Sequence, residues 1–428
     1  MHPQQRIRTV VAALALAVTG SSLAPTGLTP AAGAASGGRT YYVSPTGSDS
    51  ASGTSPLRPL RTLARASRLP LAAGDRVLLQ RGRTFAGRLE ISRSGTPGRP
   101  VSLGAYGAGA LPVVTGECIT TTGSHVEVTD VHVRGCSVGV RVQGRATTLR
   151  RIRATRNIQG VDILPGATGA KVLRSRFLDN NRLAPDTPGE WDDYGAMGVV
   201  VQGDRAEIAY NYFEGQVAAS PDFGTDGSAI EIYGGIGTSV HHNEGRDNRA
   251  FTELGHARTD RTTYAYNVSV SSVRFAEFLV TRGAGDFFGP VTRTVALNNT
   301  VRHTGHGSQG FYVGGTSTPS TLTIRNNIFD VAGRIGYAEG SIGGGGNLYW
   351  NGPVETRMLP GDRVADPQFV NRSGRQLVPR ASSPAVDRVR RPPARRDLRN
   401  RRVPTDGNGD GRRVGDIGAF EAGPRRHP

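Results

Sequence analysis

Short runs of alternating apolar and polar residues recur along this chain from about residue 125. They read "EVTDVHVRGC" (127–136), "TLRRIRATRN" (148–157), "KVLRSRFLDN" (171–180) and "EIAYNYFEGQ" (207–216), then "SVHHNEGRDN" (239–248), "TYAYNVSVSS" (263–272), "TVALNNTVRH" (294–303) and "LTIRNNIFDV" (322–331). Period-two alternation marks strands with one buried face. Self-similarity every twenty to thirty-six residues marks stacked repeats, so the pattern predicts a β-solenoid. From the fourth unit an Asn holds the same turn position, at Asn211, Asn243, Asn267, Asn298 and Asn326, with Asn347 as a sixth. Asn tolerates a left-handed backbone, and its amide can bond to the Asn above and below, so this row is expected to be a structural ladder.

Each unit has a second strand: "GVDIL" (160), "GVVVQ" (198), "AIEIY" (229), "FTELG" (251), "FAEFL" (275) and "GFYVG" (310). Apolar flanks point inward, so the middle residue points out. The outward row then reads Asp162, Val200, Glu231, Glu253, Glu277 and Tyr312. In a parallel solenoid, rungs stand about 4.8 Å apart, and this reading places three glutamates in file. Carboxylates that close raise one another's pKa and need a cation, an arginine or a shared proton. Arg274, Arg282 and Lys171 are the candidate neutralisers, as is Ca²⁺.

The unequal spacing of units requires the extra residues to leave as loops. "RLAPDTPGEWDDYGAM" (182–197) and "QVAASPDFGTDG" (216–227) precede the second strand of their units, while "HARTDRT" (256–262) and "RGAGDFFGPVTR" (282–293) follow it. They would wall a groove over the acidic row. Trp191, Tyr194, Phe223, Phe287 and Phe288 supply rings able to stack on sugars, and Asp222 and Asp226 approach Glu231 from the loop before it.

Composition sharpens the picture at the ends of the chain. Of 428 residues, 59 are Gly and 26 Pro, which suits short strands and turns and excludes a helical bundle. Arg6 and Arg8 precede the apolar run "VVAALALAV" (10–18), and "AAGAAS" (31–36) offers a small-residue cleavage site near Ala34 or Ala35. Residues 1–35 are therefore expected to be a signal peptide, and the mature protein to be secreted, extracellular and without a membrane span. Cys118 and Cys136 are compatible with either a bridge or two buried thiols. The formal charge is +17, almost all from arginine, since Lys171 is the sole lysine; residues 380–428 hold 13 Arg against 6 acids. A basic exported protein suits an anionic polysaccharide. Nucleic acid is not expected, because no basic patch interleaved with aromatics and no nucleic-acid-binding motif is seen.

The opening "YYVSPTGSDSASGTSPLRPLRTLARA" (41–66) and the ending "SPAVD … DGNGDGRRVGDIGAFE" (383–421) resemble those of right-handed parallel β-helix proteins of the pectate-lyase-like superfamily. The resemblance implies an all-β, right-handed parallel β-helix with a short N-terminal capping helix, for which "LRTLARASRL" (60–69) has helical spacing. Residues 36–105 would form the N-terminal cap and first rungs, 106–365 the helix with its groove loops, and 366–428 an Arg-rich C-terminal cap or tail. Fold alone does not select among lyases, glycoside hydrolases, epimerases and adhesins. The favoured reading is a monomeric glycoside hydrolase acting on an extracellular polysaccharide. Its catalytic residues would be Glu231, Glu253, Glu277 and Asp226, and its substrate contacts Trp191, Tyr194, Asp222, Tyr233, Arg274, Arg282, Phe287 and Tyr312. Hydrolysis needs no cofactor. The alternatives are a Ca²⁺-dependent lyase or epimerase on a uronate polymer, with Arg258, Arg274 or Arg282 as base, and a non-catalytic carbohydrate-binding surface protein. His303 and His306 are secondary acid–base candidates. "DGNGDG" (406–411) places Asp406, Asn408 and Asp410 at Ca²⁺-loop positions, although Ile417 replaces the closing Glu of that motif.

Overall fold

In the computed structural model, residues 38–372, 377–389 and 414–422 are described. The expected signal peptide and Asp406, Asn408 and Asp410 lie outside them. Strands form a 12-stranded and a 21-stranded parallel sheet, plus one two-stranded antiparallel hairpin. The larger sheet runs as two lanes joined by Val113–Thr121, which pairs with a strand of each lane. The result is a parallel β-helix with three walls. A rung runs from the first wall (such as Glu207–Ala209) to a short second-wall strand (Tyr212–Glu214), and then to a longer third-wall strand (Ser228–Tyr233).

The alternation in the sequence is the cause. Ile230 and Ile232 are fully buried while Glu231 between them is not. Interior side chains stack on their counterparts one rung away, as Phe177 does on Phe213 at 4.8 Å and Phe251 on Phe278 at 5.3 Å. At the N-terminus a five-residue helix, Leu63–Ser67, begins at Thr62, whose hydroxyl accepts the Arg65 N–H at 3.1 Å. It buries Leu63 and Ala66, and the Ser67 hydroxyl accepts the N–H of Glu90 in the strand Thr84–Ile91. A disulfide joins Cys118 to Cys136, both buried.

The amide ladder exists, with a change of membership. Its side chains are Asn211, Asn243, Asn267, Asn299, Asn327 and Asn347, each Nδ2 donating to the next Oδ1 at 2.9–3.0 Å. Asn347 closes the row on Asp362. Asn298 and Asn326, expected in the ladder, instead occupy the preceding position, where the backbone is left-handed (φ 52° and 55°). Tyr210, His242 and Tyr266 take that position on other rungs. The turn thus divides its labour: one residue bends the chain and the next carries the buried amide.

The second wall is dressed unevenly. Its later strands present Val268, Ile328 and Leu348, which pack under Phe369, Leu377, Val389, Ile417 and Phe420 from the C-terminal segments. Asn298 Nδ2 donates to the Asp416 carbonyl at 2.9 Å, and the Thr300 hydroxyl accepts the Ala419 N–H at 2.9 Å.

Candidate active site

The third wall brings Glu231 and Glu253 together as direct register partners on Ser228–Tyr233 and Ala250–Gly255. The outward file runs Asp162, Val200, Glu231, Glu253, Val280, Tyr312 and Tyr337. Glu277 is not in it. Glu277 pairs with Ala250, three residues earlier on its strand than the partner of Glu253. The expectation of three glutamates in file is corrected here, and the cause is the interior: Phe278, not Phe275, stacks on Phe251. Phe275 is left in the turn with positive φ and is exposed.

The long loops leave the third wall where their spacing predicted. The segment 215–227 contains the hairpin Ala218–Ser220/Gly224–Asp226, which ends at Asp226 just before the strand of Glu231. Asp193 clamps this hairpin to the preceding loop. Buried as it is, its carboxylate accepts from the Ser220 hydroxyl (2.5 Å) and from the N–H groups of Asp222 (3.0 Å) and Thr187 (3.0 Å). Burial pushes Asp193 up, but these hydrogen bonds outweigh it and hold the group below its ordinary pKa. Asp222, expected at the substrate, accepts from the backbone N–H groups of Gly189 (2.6 Å) and Asp192 (3.0 Å), so it braces one loop against the other. Asp192, Asp193 and Asp222 lie within 4.8 Å of one another.

Two arginines enter the acidic cluster. Arg282 donates to Glu253 at 2.5 Å and lies 3.5 Å from Asp286. It stands in register beyond Gly255, with Tyr233 on the other side. A Cβ at Gly255 would come within 3.1 Å of the Tyr233 ring, so glycine there leaves room for that ring. Arg249 donates to Glu277 at 2.7 Å, and Gln309 donates to the other Glu277 oxygen at 3.1 Å. Arg249 and Gln309 were not expected as partners, because their contact depends on the shifted register. Arg274 lies over the ring of Phe275 at 4.8 Å and, among the described residues, forms no ion pair. Lys171 is on the first wall, bound to Glu207.

Burial raises several carboxyl groups of this wall. Glu231 forms no ion pair among the described residues. Burial raises its pKa well above the ordinary carboxylate range, and the charges of Glu253 and Asp226 push it further. Asp226 is raised to about 6 by burial and then by Glu253. Glu277 is raised by burial, against the pull of Arg249. Asp162, two rungs from Glu231, is raised by burial while Gln202 donates to it at 3.0 Å.

The aromatic candidates line the same wall. Trp191 is 74% exposed, with its ring 5.7 Å from that of Phe223. The Tyr194 hydroxyl accepts from Gln159 at 2.5 Å, and burial, then Glu231, resist its ionisation. Tyr233 packs edge-on against His256 at 5.3 Å, and Phe287 is 92% exposed beside Phe288. Tyr312 stacks on Tyr337 at 5.5 Å in the file of Glu253. His303 is buried away from this wall, bonded to the Ser269 hydroxyl on the second wall at 2.9 Å.

No family model matches the chain. A segment of 91 residues, 21% of the chain, is 36% identical to the uncharacterized protein YwoF of Bacillus subtilis (strain 168); the match spans 19% of that protein's length. Among solved structures, the pectate lyase Pel9A superposes with a TM-score of 0.56 at 16% identity, covering 90% of this chain and 96% of its own. The GH136 lacto-N-biosidase from Eubacterium ramulus gives 0.52 at 16% identity, covering 77% and 67%. XylC, solved in complex with xylose, gives 0.53 at 9% identity, covering 89% and 98%. These structures share the parallel β-helix fold of this chain.

Proposed function

We propose that this protein is secreted and cleaves glycosidic bonds in an extracellular polysaccharide, by hydrolysis. The observation that carries the reading is the unequal pair Glu231 and Glu253. They are neighbours on adjacent rungs, yet one lacks a cation and resists ionisation while the other is held in an ion pair with Arg282. Two adjacent carboxyl groups in such unequal surroundings, one buried without a cation and one paired with arginine, can divide into an acid and a base or nucleophile. A rung spacing of about 5 Å matches the separation of retaining glycosidases.

In this scheme protonated Glu231 gives its proton to the glycosidic oxygen as the bond to the anomeric carbon breaks. The Glu253 carboxylate attacks that carbon and forms a glycosyl ester. Water then displaces Glu253, and Glu231 takes the water's proton and is reset. Asp226 supports the pair from the hairpin above. Glu277, with both oxygens engaged by Arg249 and Gln309, serves to position. The aromatic loops supply stacking surface for sugars. Fold likeness to pectate lyase Pel9A and to GH136 lacto-N-biosidase supports carbohydrate chemistry without choosing its type. The Cys118–Cys136 bridge suits an oxidising compartment. An arginine base for elimination has less support: Arg258 is tied to both oxygens of Asp204 at 2.8 Å, and Arg282 to Glu253.

The test is a polysaccharide panel, with and without EDTA, following reducing ends and ultraviolet-absorbing unsaturated products together. Hydrolysis gives reducing ends without absorbance, unaffected by EDTA, and a loss of about 10³-fold in Glu231→Gln and in Glu253→Gln. The rate should fall as pH rises through the elevated pKa of Glu231. Absorbance abolished by EDTA would replace this reading with the Ca²⁺-dependent lyase. Silence in both channels, with binding intact in Glu231→Gln, would indicate a binding protein.

A further inference from the structure

The second wall carries a feature that the cleavage chemistry does not use. One outward column of this wall runs His132, Arg153, Arg176, Tyr212, Glu244, Val268, Thr300, Ile328 and Leu348. Its later half is apolar and is covered by the C-terminal segments. Its first half carries two adjacent arginines, followed by Tyr212 and Glu244. Arg153 and Arg176 are direct register partners and both are exposed. Arg134, Arg156 and Arg174 flank them at the strand ends and corners, exposed as well. Among the described residues none of these five forms an ion pair, although Arg151 and Lys171 close by do so.

Like charges directly opposite on neighbouring strands destabilise a sheet. The crowding is felt by His132: burial, then Arg153 and Arg134, depress its pKa to about 4. The nearest carboxylates on this wall are Glu244, two rungs from Arg176 in the same column, and Glu214, which pairs with Leu178 beside that column. They do not stand opposite the arginines.

We propose that this strip is a docking surface for an acidic polysaccharide, separate from the cleavage groove. A guanidinium fork matches a carboxylate or sulfate group bidentately. Rungs about 4.8 Å apart present such forks at regular intervals to a linear polymer with one anion per sugar. The ring faces here are already occupied, Tyr212 by Arg176 at 4.8 Å and Tyr210 by Arg174 at 5.1 Å and by His242 at 5.0 Å. A single-stranded nucleic acid would therefore find charge but no stacking platform. The groove on the third wall holds its carboxyl groups protonated or paired with Arg282 and Arg249, so the two surfaces differ in charge. The strip would hold the protein on an acidic matrix while the groove works on a chain within reach.

The experiment uses the full mature protein carrying Glu231→Gln, so that no polymer is degraded and the outcome is independent of the cleavage reading. Retardation in gels containing polygalacturonate, dextran sulfate or neutral dextran is measured across a salt series. The expected result is retardation by at least one of the two acidic polymers and none by dextran. It should be weakened about tenfold in Arg153→Ser/Arg176→Ser, with a shallower salt dependence. Polygalacturonate against dextran sulfate tells carboxylate from sulfate recognition. A control pair, Arg58→Ser/Arg68→Ser, removes the same charge from exposed arginines near the N-terminal helix and should change little. Equal loss in both pairs, or none in either, overturns the proposal, as does retention by single-stranded DNA that exceeds retention by both acidic polymers. Circular dichroism identical to the parent protein establishes that each variant is folded, and single Arg153→Ser gives the same reading with a smaller effect.

Discussion

Two sets of stacked polar side chains stand on this solenoid, the amide ladder from Asn211 to Asn347 and the pair Glu231–Glu253, and their fates are opposite. In the corner ladder every amide meets a partner. The Oδ1 of Asn243 takes both the N–H and the Nδ2 of Asn211 at 3.0 Å, and its own Nδ2 reaches the Ile208 carbonyl at 2.8 Å. In the third-wall file the same rung spacing sets Glu231 against Glu253, with Asp226 near them on the hairpin, and burial raises the pKa of Glu231 and of Asp226. Stacking multiplies whatever it repeats. Groups that both donate and accept become a bonded column, and groups that only accept become a strained one. The first column holds the fold; the second perturbs its carboxyl groups, as the proposed acid–base role requires.

The contrast can be broken from either side. The largest effect should come from Asn243→Ala, which orphans the Asn211 amide and the Ile208 carbonyl in the interior. It should lower stability by about 3 kcal/mol, read as a shift in the urea midpoint at constant slope. Next, Arg282→Met takes the cation from the acidic file and should cost about 2 kcal/mol at neutral pH, since the guanidinium is only 13% exposed. A cost that vanished in the Arg282→Met/Glu253→Gln double variant would assign the effect to that pair.

Asp226→Asn should do the reverse and stabilise. The carboxyl is raised to about 6 in the folded chain, whereas an unfolded Asp titrates near ~4. The folded state therefore binds more protons between those values, and stability falls as pH rises through that window. The gain in Asp226→Asn should be absent below pH ~4 and complete above about pH 7, on the order of 1–2 kcal/mol after solvent screening. A gain that did not depend on pH would point to packing instead. The smallest effect belongs to Lys171→Met. Its ion pair with Glu207 is half-exposed, and its loss should stay within about 0.5 kcal/mol.

The solenoid was legible because period-two alternation and unit repetition are local signals, and the loop positions followed from unequal spacing. The two errors have one origin. "NN" at 298–299 and at 326–327 offers two asparagines to one corner, and the tolerance of Asn for a left-handed backbone selects the first, whereas the buried amide is the second. Likewise "FAEFL" imitates "FTELG" letter by letter, yet the strand begins at Glu277, and the interior seat opposite Phe251 goes to Phe278. In both cases the sequence proposes two frames of similar local quality, and contact with the neighbouring rung decides between them. The ion pairs Arg249–Glu277 and Arg282–Glu253 were beyond reach for the same reason, since each depends on that frame.

A solenoid assembles by adding each rung to the one before, which keeps most of its contacts short in sequence. The clasp between Asn298 and Thr300 and the segment 414–422 departs from that economy, spanning 118 to 120 residues. During synthesis from the N-terminus, the strands bearing Val268, Ile328 and Leu348 are made well before Ile417 and Phe420, which complete their cover. Until those residues arrive, these strands offer a sticky apolar seam to other nascent chains. The last step of maturation is therefore a long-range closure, and a chain truncated at residue 413 would be expected to fold its groove and still aggregate through its flank.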